Sequence, residues 1–139
     1  MAAFQKFNSF VEARGRGVHN LHADTLKVML SNVAPIAANG VKGDITEIAA
    51  GNGYPAGGVQ VANNTYVQSG GLAKLLGDDV VITASGGPIG PWRYAVLYND
   101  TAVNDELIGF WDKGTSDSLA DGEAVTIDLD QAAGILTDQ

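Results

Sequence analysis

The spacing of hydrophobic residues changes from a helical to a strand period close to the N-terminus. Phe4, Phe7, Phe10 and Val11 are spaced as one face of a helix, a pattern that strand alternation cannot produce. The sequence therefore predicts a short helix over residues 4–13. Glycines at positions 15 and 17 are expected to end it.

From residue 24 onward the hydrophobic pattern is that of strands. Leu26, Val28 and Leu30 alternate with other residues in a period-two segment. Residues 44–49 could form one helical turn or an edge strand, and the glycine-rich residues 50–58 are expected to form a loop. Further strands are predicted at residues 59–61, 80–84, 92–98, 107–111 and 125–129, and residues 66–76 and 134–137 could add two more.

Many short strands without intervening long helices indicate a mainly β fold, an antiparallel β-sandwich or barrel-like domain with one short N-terminal helix. The 139 residues are enough for a single domain with its own core. We expect one β-rich domain over residues 1–139, with a helical N-terminal arm at 1–18 and a β body at 19–139.

The charge of the chain is uneven and mostly acidic. The formal net charge is −8, which disfavours nucleic acid as a partner because phosphate binding requires clustered Lys and Arg. Residues 1–18 carry three basic residues and one acidic residue, a net of +2, so the remainder carries −10. Such an arm could dock on an acidic neighbour, or it could simply be a solvated helix.

Several classes of chemistry lack their usual residues. The chain has no cysteine, which removes thiol catalysis and thiolate metal sites. No segment reaches the roughly 20 apolar residues of a membrane span, and the N-terminus lacks a secretory signal pattern. The sequence predicts no membrane partner, no cofactor and no metal, with synthesis in the cytoplasm.

Short motifs in the chain resemble ligand sites but lack essential positions. Gly51-Asn52-Gly53 opens a G-x-G-x-x-A pattern, yet proline and two more glycines follow where a dinucleotide site needs a helix. Asp128 and Asp130 open a calcium-loop pattern that lacks the later ligands and glycine. The acidic loop 100–106 could hold a cation, although a soluble turn is the simpler interpretation.

The two histidines and the aromatic residues have structural interpretations that compete with functional ones. His19 and His22 lie three residues apart and have too few neighbouring ligands for zinc, so polar packing is expected. The aromatic residues of the strand region could form a core or a subunit interface, or could stack on sugars as in lectins. These residues are Trp92, Tyr94, Tyr98, Phe110 and Trp111, with the first three expected on one face.

The chain resembles a family of small tailed-phage virion structural proteins over residues 4–137. The resemblance is carried by residues 7–12, 17–21, 24–30, 44–48, 93–100, 107–112 and 121–123. It implies a non-catalytic structural protein of the virion, with a capsid decoration (cement) protein as the closest functional match. Its partners would be the major capsid protein and copies of itself, a trimer being one arrangement, and its location the capsid surface.

Two other functions remain open from the sequence, a tail or fibre component and a carbohydrate-binding adhesin domain. The candidate partner-binding residues are the aromatic stripe Phe4, Phe7 and Phe10, with Arg14 and Arg16. Aromatic and arginine side chains often carry most of the energy of an interface. The stripe could equally pack on the sheet of its own domain.

Overall fold

The fold is mainly β, as the sequence predicts, with strands in 44% of the chain and helix in 8%. The structure, a computed structural model, describes residues 3–139. Its one α-helix, α1, spans Asn8–Gly15, and a 3-10 turn spans Lys42–Asp44. The strands are β1 Gln5–Lys6, β2 Leu26–Ser31, β3 Val59–Gln60, β4 Thr65–Ser69, β5 Leu72–Leu76, β6 Val80–Thr83, β7 Ile89–Asn99, β8 Leu107–Leu119, β9 Ala124–Ile127 and β10 Leu136–Asp138.

All strand pairs are antiparallel. A five-stranded sheet has the order β1-β8-β7-β2-β3, a three-stranded sheet the order β10-β5-β4, and β6 pairs with β9. Side chains from the two small sheets share one hydrophobic core with the five-stranded sheet. The result is a sandwich-like arrangement, within the predicted fold class.

The five-stranded sheet is hydrophobic on both faces. On β7, Ala95 and Leu97 belong to the core shared with the small sheets. Tyr94, Val96 and Tyr98 belong to a second core on the opposite face. The second core is closed by Phe7, from the segment before α1, and by Ile45, from the segment after the 3-10 turn. The sequence of a strand with both faces buried is a continuous run of apolar residues rather than an alternation of apolar and polar ones.

The position of Trp92 corrects the expectation that it shares a face with Tyr94 and Tyr98. Trp92 lies in the first core, and the two tyrosines lie in the second. Trp92 is paired with Asp117, whereas Tyr94 is paired with Asp112, so the register shifts between them. A bulge of this kind changes the alternation of side chains along a strand.

The N-terminal segment also differs from its prediction. The helix starts at Asn8 rather than at Phe4, because Gln5 and Lys6 pair with β8 as strand β1. Phe7 is the N-cap residue and has no side-chain cap; instead the Ala37 carbonyl accepts a hydrogen bond from the Asn8 amide at 3.0 Å. Residues 3–18 are packed onto the body and do not form a separate arm.

The glycine-rich loop before β3 is held by a chain of buried and partly buried hydrogen bonds. The Tyr54 hydroxyl accepts from the Leu30 amide at 2.9 Å and donates to Glu47 Oε2 at 2.7 Å. The same carboxylate oxygen accepts from the Gly57 amide at 2.8 Å, and the Gly57 carbonyl accepts from the Tyr98 hydroxyl at 2.5 Å. Burial and the neighbouring Glu47 carboxylate raise the pKa of Tyr54 above its ordinary range. This chain ties the loop to the five-stranded sheet.

Gly58 lies where this loop meets β2, and replacing it with alanine should be costly. Its φ is +88°, and a Cβ there would overlap the backbone of Val28. Gly114 has a similar φ of +93°, but a Cβ added there would have no heavy atom within 4 Å apart from those of its chain neighbours, so Gly114→Ala is a matched control for backbone strain. We expect Gly114→Ala to lower the free energy of unfolding by about 1 kcal/mol and Gly58→Ala to lower it by at least about 3 kcal/mol. Urea unfolding measures both; equal losses would contradict the packing described here.

Candidate functional site: a groove beside helix α1

The three phenylalanines proposed as partner-binding residues pack inside the domain. Phe7 and Phe10 are buried, in the second and first core respectively. Phe4 is half-buried, and its ring centroid lies 4.8 Å from that of Trp111. Of the two alternatives that the sequence left open, packing within the domain describes these rings, but the prediction that they form one helical stripe is wrong. Their spacing matched a helix, but the chain is a strand at Gln5–Lys6 and helical only from Asn8.

The two candidate arginines have different environments. Arg14 lies over the Phe10 ring, 5.5 Å from its centroid, and its Nη1 is 3.6 Å from Asp138 Oδ2 of β10. Arg16 has a side chain that is 74% exposed, and its Nη1 is 2.9 Å from Glu12 Oε2. Arg14 thus connects α1 to the C-terminal strand, while Arg16 is on the surface and accessible to a partner.

The aromatic residues of β7 and β8 are buried, in agreement with the expectation of core packing. Trp92, Tyr94, Tyr98, Phe110 and Trp111 are all at most 9% exposed. A sugar-stacking site needs an accessible ring face. These five rings therefore do not provide one.

A groove of about 790 Å³ lies between α1 and the loop 101–106 that follows β7. We call it the α1 groove. The helix side of the groove is lined by Glu12, Ala13 and Arg16, and the turn that follows the helix contributes Val18. The other wall is the loop, where Val103 is 97% exposed. The groove combines aliphatic and acidic side chains on one surface.

The side chain of Asn99, the last residue of β7, fixes the loop wall of the groove. Its Oδ1 accepts hydrogen bonds from the amides of Thr101 at 2.9 Å and Ala102 at 3.2 Å. Its Nδ2 donates to Asp24 Oδ2 at 2.7 Å and lies 3.0 Å from His19 Nδ1. One buried amide therefore links β7, the loop and the turn after α1.

These contacts define the protonation state of His19. The Asn99 oxygen is committed to two backbone amides, so the amide nitrogen must face the imidazole and His19 Nδ1 must accept. The ring is then neutral, with its hydrogen on Nε2. Burial lowers the pKa of His19, and the nearby carboxylates Glu106 and Asp24 only partly oppose this. Polar packing, as expected from the sequence, describes this histidine.

The remaining motifs are occupied by local hydrogen bonds. Gly51 and Tyr54 exchange backbone hydrogen bonds in a tight turn, so the glycine motif does not lead into a helix. Asp128 and Asp130 accept from backbone amides two and three residues ahead, at 2.8 and 2.9 Å. Within residues 3–139, no group of three His, Asp or Glu side chains is arranged to hold a metal ion.

Sequence reasoning missed Asn99 and Val103. The contacts of Asn99 reach 75 and 80 positions back along the chain, and no sequence pattern encodes them. Val103 did give a signal, since it is a β-branched aliphatic residue in a loop whose other residues are alanine and polar residues. The carboxylates of that loop were the more prominent feature of its sequence.

Comparison of the chain with protein-family models, with curated protein sequences and with solved structures finds no match. Among residues 3–139, no helix is long and apolar enough to cross a membrane. The geometry of the groove and the resemblance described above are therefore the basis for a functional proposal.

Protonation of His19 should destabilise the fold. An imidazolium would place an Nδ1 hydrogen against the Asn99 amide hydrogens. Because the folded-state pKa is below the ordinary value of 6.5, the unfolded chain binds the proton first, and stability falls as the pH drops below about 6.5. We expect the melting temperature to fall between about pH 7.5 and about pH 5.5, and His19→Gln to reduce that fall.

His22 supplies the control for this measurement. His22 is exposed, so water can replace the one hydrogen bond that its Nδ1 accepts, from the Tyr66 amide at 3.1 Å. His22→Gln should therefore leave the pH dependence of the melting temperature nearly as in the unsubstituted protein. Thermal unfolding of the three proteins across this pH range makes the comparison. The assignment of the pH dependence to His19 would be contradicted if His22→Gln removed the fall in melting temperature and His19→Gln left it unchanged.

Proposed function

We propose that this chain is a non-catalytic structural protein of a tailed-phage virion, a decoration (cement) protein that binds the outer surface of the major capsid shell. In this role it is made in the cytoplasm of the bacterial host and joins the virion at the capsid surface. It stabilises the shell by contacts with the major capsid protein and with copies of itself, for which a trimer is one arrangement.

The observation that carries the proposal is the position of the resembling segments in the fold. Residues 24–30 include most of β2, residues 93–100 include the core-forming part of β7, and residues 107–112 begin β8. These three strands are adjacent in the five-stranded sheet. Resembling segments in three adjacent strands of the central sheet support a shared fold with the phage proteins.

The surface of the domain supports a binding role. Val11 on α1 is 55% exposed, Val18 is 36% exposed and Val103 is 97% exposed. Scattered exposed valines are normal, but Val18 and Val103 also line the α1 groove. A surface that combines aliphatic side chains with a concave shape suits contact with another protein.

The stoichiometry of purified virions tests this proposal. A cement protein covers the shell, so its copy number should be similar to that of the major capsid protein. The ratio of the two copy numbers should be the same in every preparation. Quantitative mass spectrometry of the two proteins in density-purified particles of the encoding phage gives the ratio. Shells stripped of the protein should take it up again to the same ratio.

Two results would contradict a cement role. Copurification with detached tails at a few copies per particle would make the chain a tail or fibre component. Absence from purified virions would remove the structural proposal altogether.

Deletion of residues 1–18 would not test the binding of these residues to the shell, because it also removes Phe7 and Phe10 from the two cores.

A further inference from the structure

We infer that the α1 groove binds a segment of a partner protein that carries a lysine or arginine beside an aliphatic side chain. The kind of side chain that the groove binds follows from the groove itself. Only the identification of the partner as the major capsid protein rests on the proposed function.

The loop wall offers an aliphatic contact that is already fixed in place. Val103 is 97% exposed, and the loop that carries it is anchored at both ends. At its start Thr101 Oγ1 accepts from the Thr25 amide at 2.8 Å, and at its end the Asp105 carbonyl accepts from the Lys42 amide at 3.0 Å. Binding to a loop held in this way costs less ordering entropy than binding to a flexible one.

The charge of the groove selects a basic partner. Its lining contains the carboxylates of Glu12, Asp24 and Glu106 and the single guanidinium of Arg16, a net of −2. One oxygen of each carboxylate accepts a hydrogen bond: Glu12 Oε2 from Arg16, Asp24 Oδ2 from Asn99, and Glu106 Oε1 from the Asn104 amide. Within the described residues, the second oxygen of each has no hydrogen-bond donor.

A protein segment fits these features better than the other ligands that an acidic surface attracts. The described carboxylates are not grouped as a metal site, and a negative lining repels nucleic acid. Lysine and arginine side chains combine an aliphatic stem with a cationic end. Such a side chain can contact Val103 with its stem while its charged end reaches the carboxylates.

A short synthetic peptide of alternating lysine and leucine is the probe for this chemistry. Titrated into the isotopically labelled protein and followed by NMR, it should shift the amide signals of Ala13, Val18 and residues 101–104. A peptide of alternating glutamate and leucine should not. Affinity for the basic peptide should weaken as salt is raised, since salt screens exposed charges.

Surface variants test the two parts of the site separately. Val103→Ser should weaken binding of the basic peptide about tenfold, as expected for loss of a valine side chain that becomes buried on binding. Val67→Ser, at a valine that is 60% exposed on β4, is the matched control and should have no effect. Glu12→Gln should weaken binding and reduce its salt dependence. Glu123→Gln makes the same change in net charge in the exposed turn after β8, at the opposite end of that strand from the groove loop, and should weaken binding less.

Each outcome of these measurements decides the inference. Binding of both peptides alike, or equal effects of Val103→Ser and Val67→Ser, would overturn it. So would self-association of the unsubstituted protein that Val103→Ser abolishes, because the groove would then hold a second copy of the chain.

The same variants separate this inference from the proposed function. If stripped shells take up Val103→Ser and Glu12→Gln as well as the unsubstituted protein, the groove does not bind the shell, while the cement role stands. If the protein never binds shells but the peptide results are as expected, the groove chemistry stands and the cement role is wrong.

Discussion

Burial of both faces of strand β7 is the constraint on which the rest of the structure depends. Its consecutive side chains enter two different cores, so each face needs its own cover. The small sheets cover one face, and Phe7 of the N-terminal segment together with Ile45, which follows the 3-10 turn, covers the other. Burying a large apolar side chain stabilises a fold by roughly 1.5–3 kcal/mol, and both covers are held to the sheet by such side chains.

The same strand determines the position of the candidate site. Asn99 ends β7 with its side chain fully buried, and its side-chain amide forms hydrogen bonds to both the loop 101–106 and the turn after α1. Backbone contacts reinforce the junction. The backbone N–H of Asn99 donates to the Glu106 carbonyl at 3.0 Å, and that of Asp100 donates to the Thr25 carbonyl at 2.8 Å. The loop and the turn that border the α1 groove are therefore joined to the buried end of β7 by hydrogen bonds.

The sequence indicated the strands well where local pattern and final structure coincide. The alternating residues 26–30 form β2, and the β-branched residues 80–83 lie in β6. It failed where long-range contacts decide the conformation. Gln5 and Lys6 are a strand only because β8 lies beside them, and the start of α1 is capped by the Ala37 carbonyl, not by a side chain that could be recognised. The groove could be predicted only in fragments, because the placement of Arg14 toward Asp138 and of Arg16 toward solvent depends on how α1 packs.

Hydrogen–deuterium exchange tests the central claim, that β7 carries both cores and fixes the groove loop, most directly. We expect the slowest exchange for the β7 and β2 amides, and measurable protection of the Thr101 and Ala102 amides although both lie in a surface loop. Exchange of those loop amides at the rate of a free peptide, or protection of the small sheets above that of β7, would contradict it.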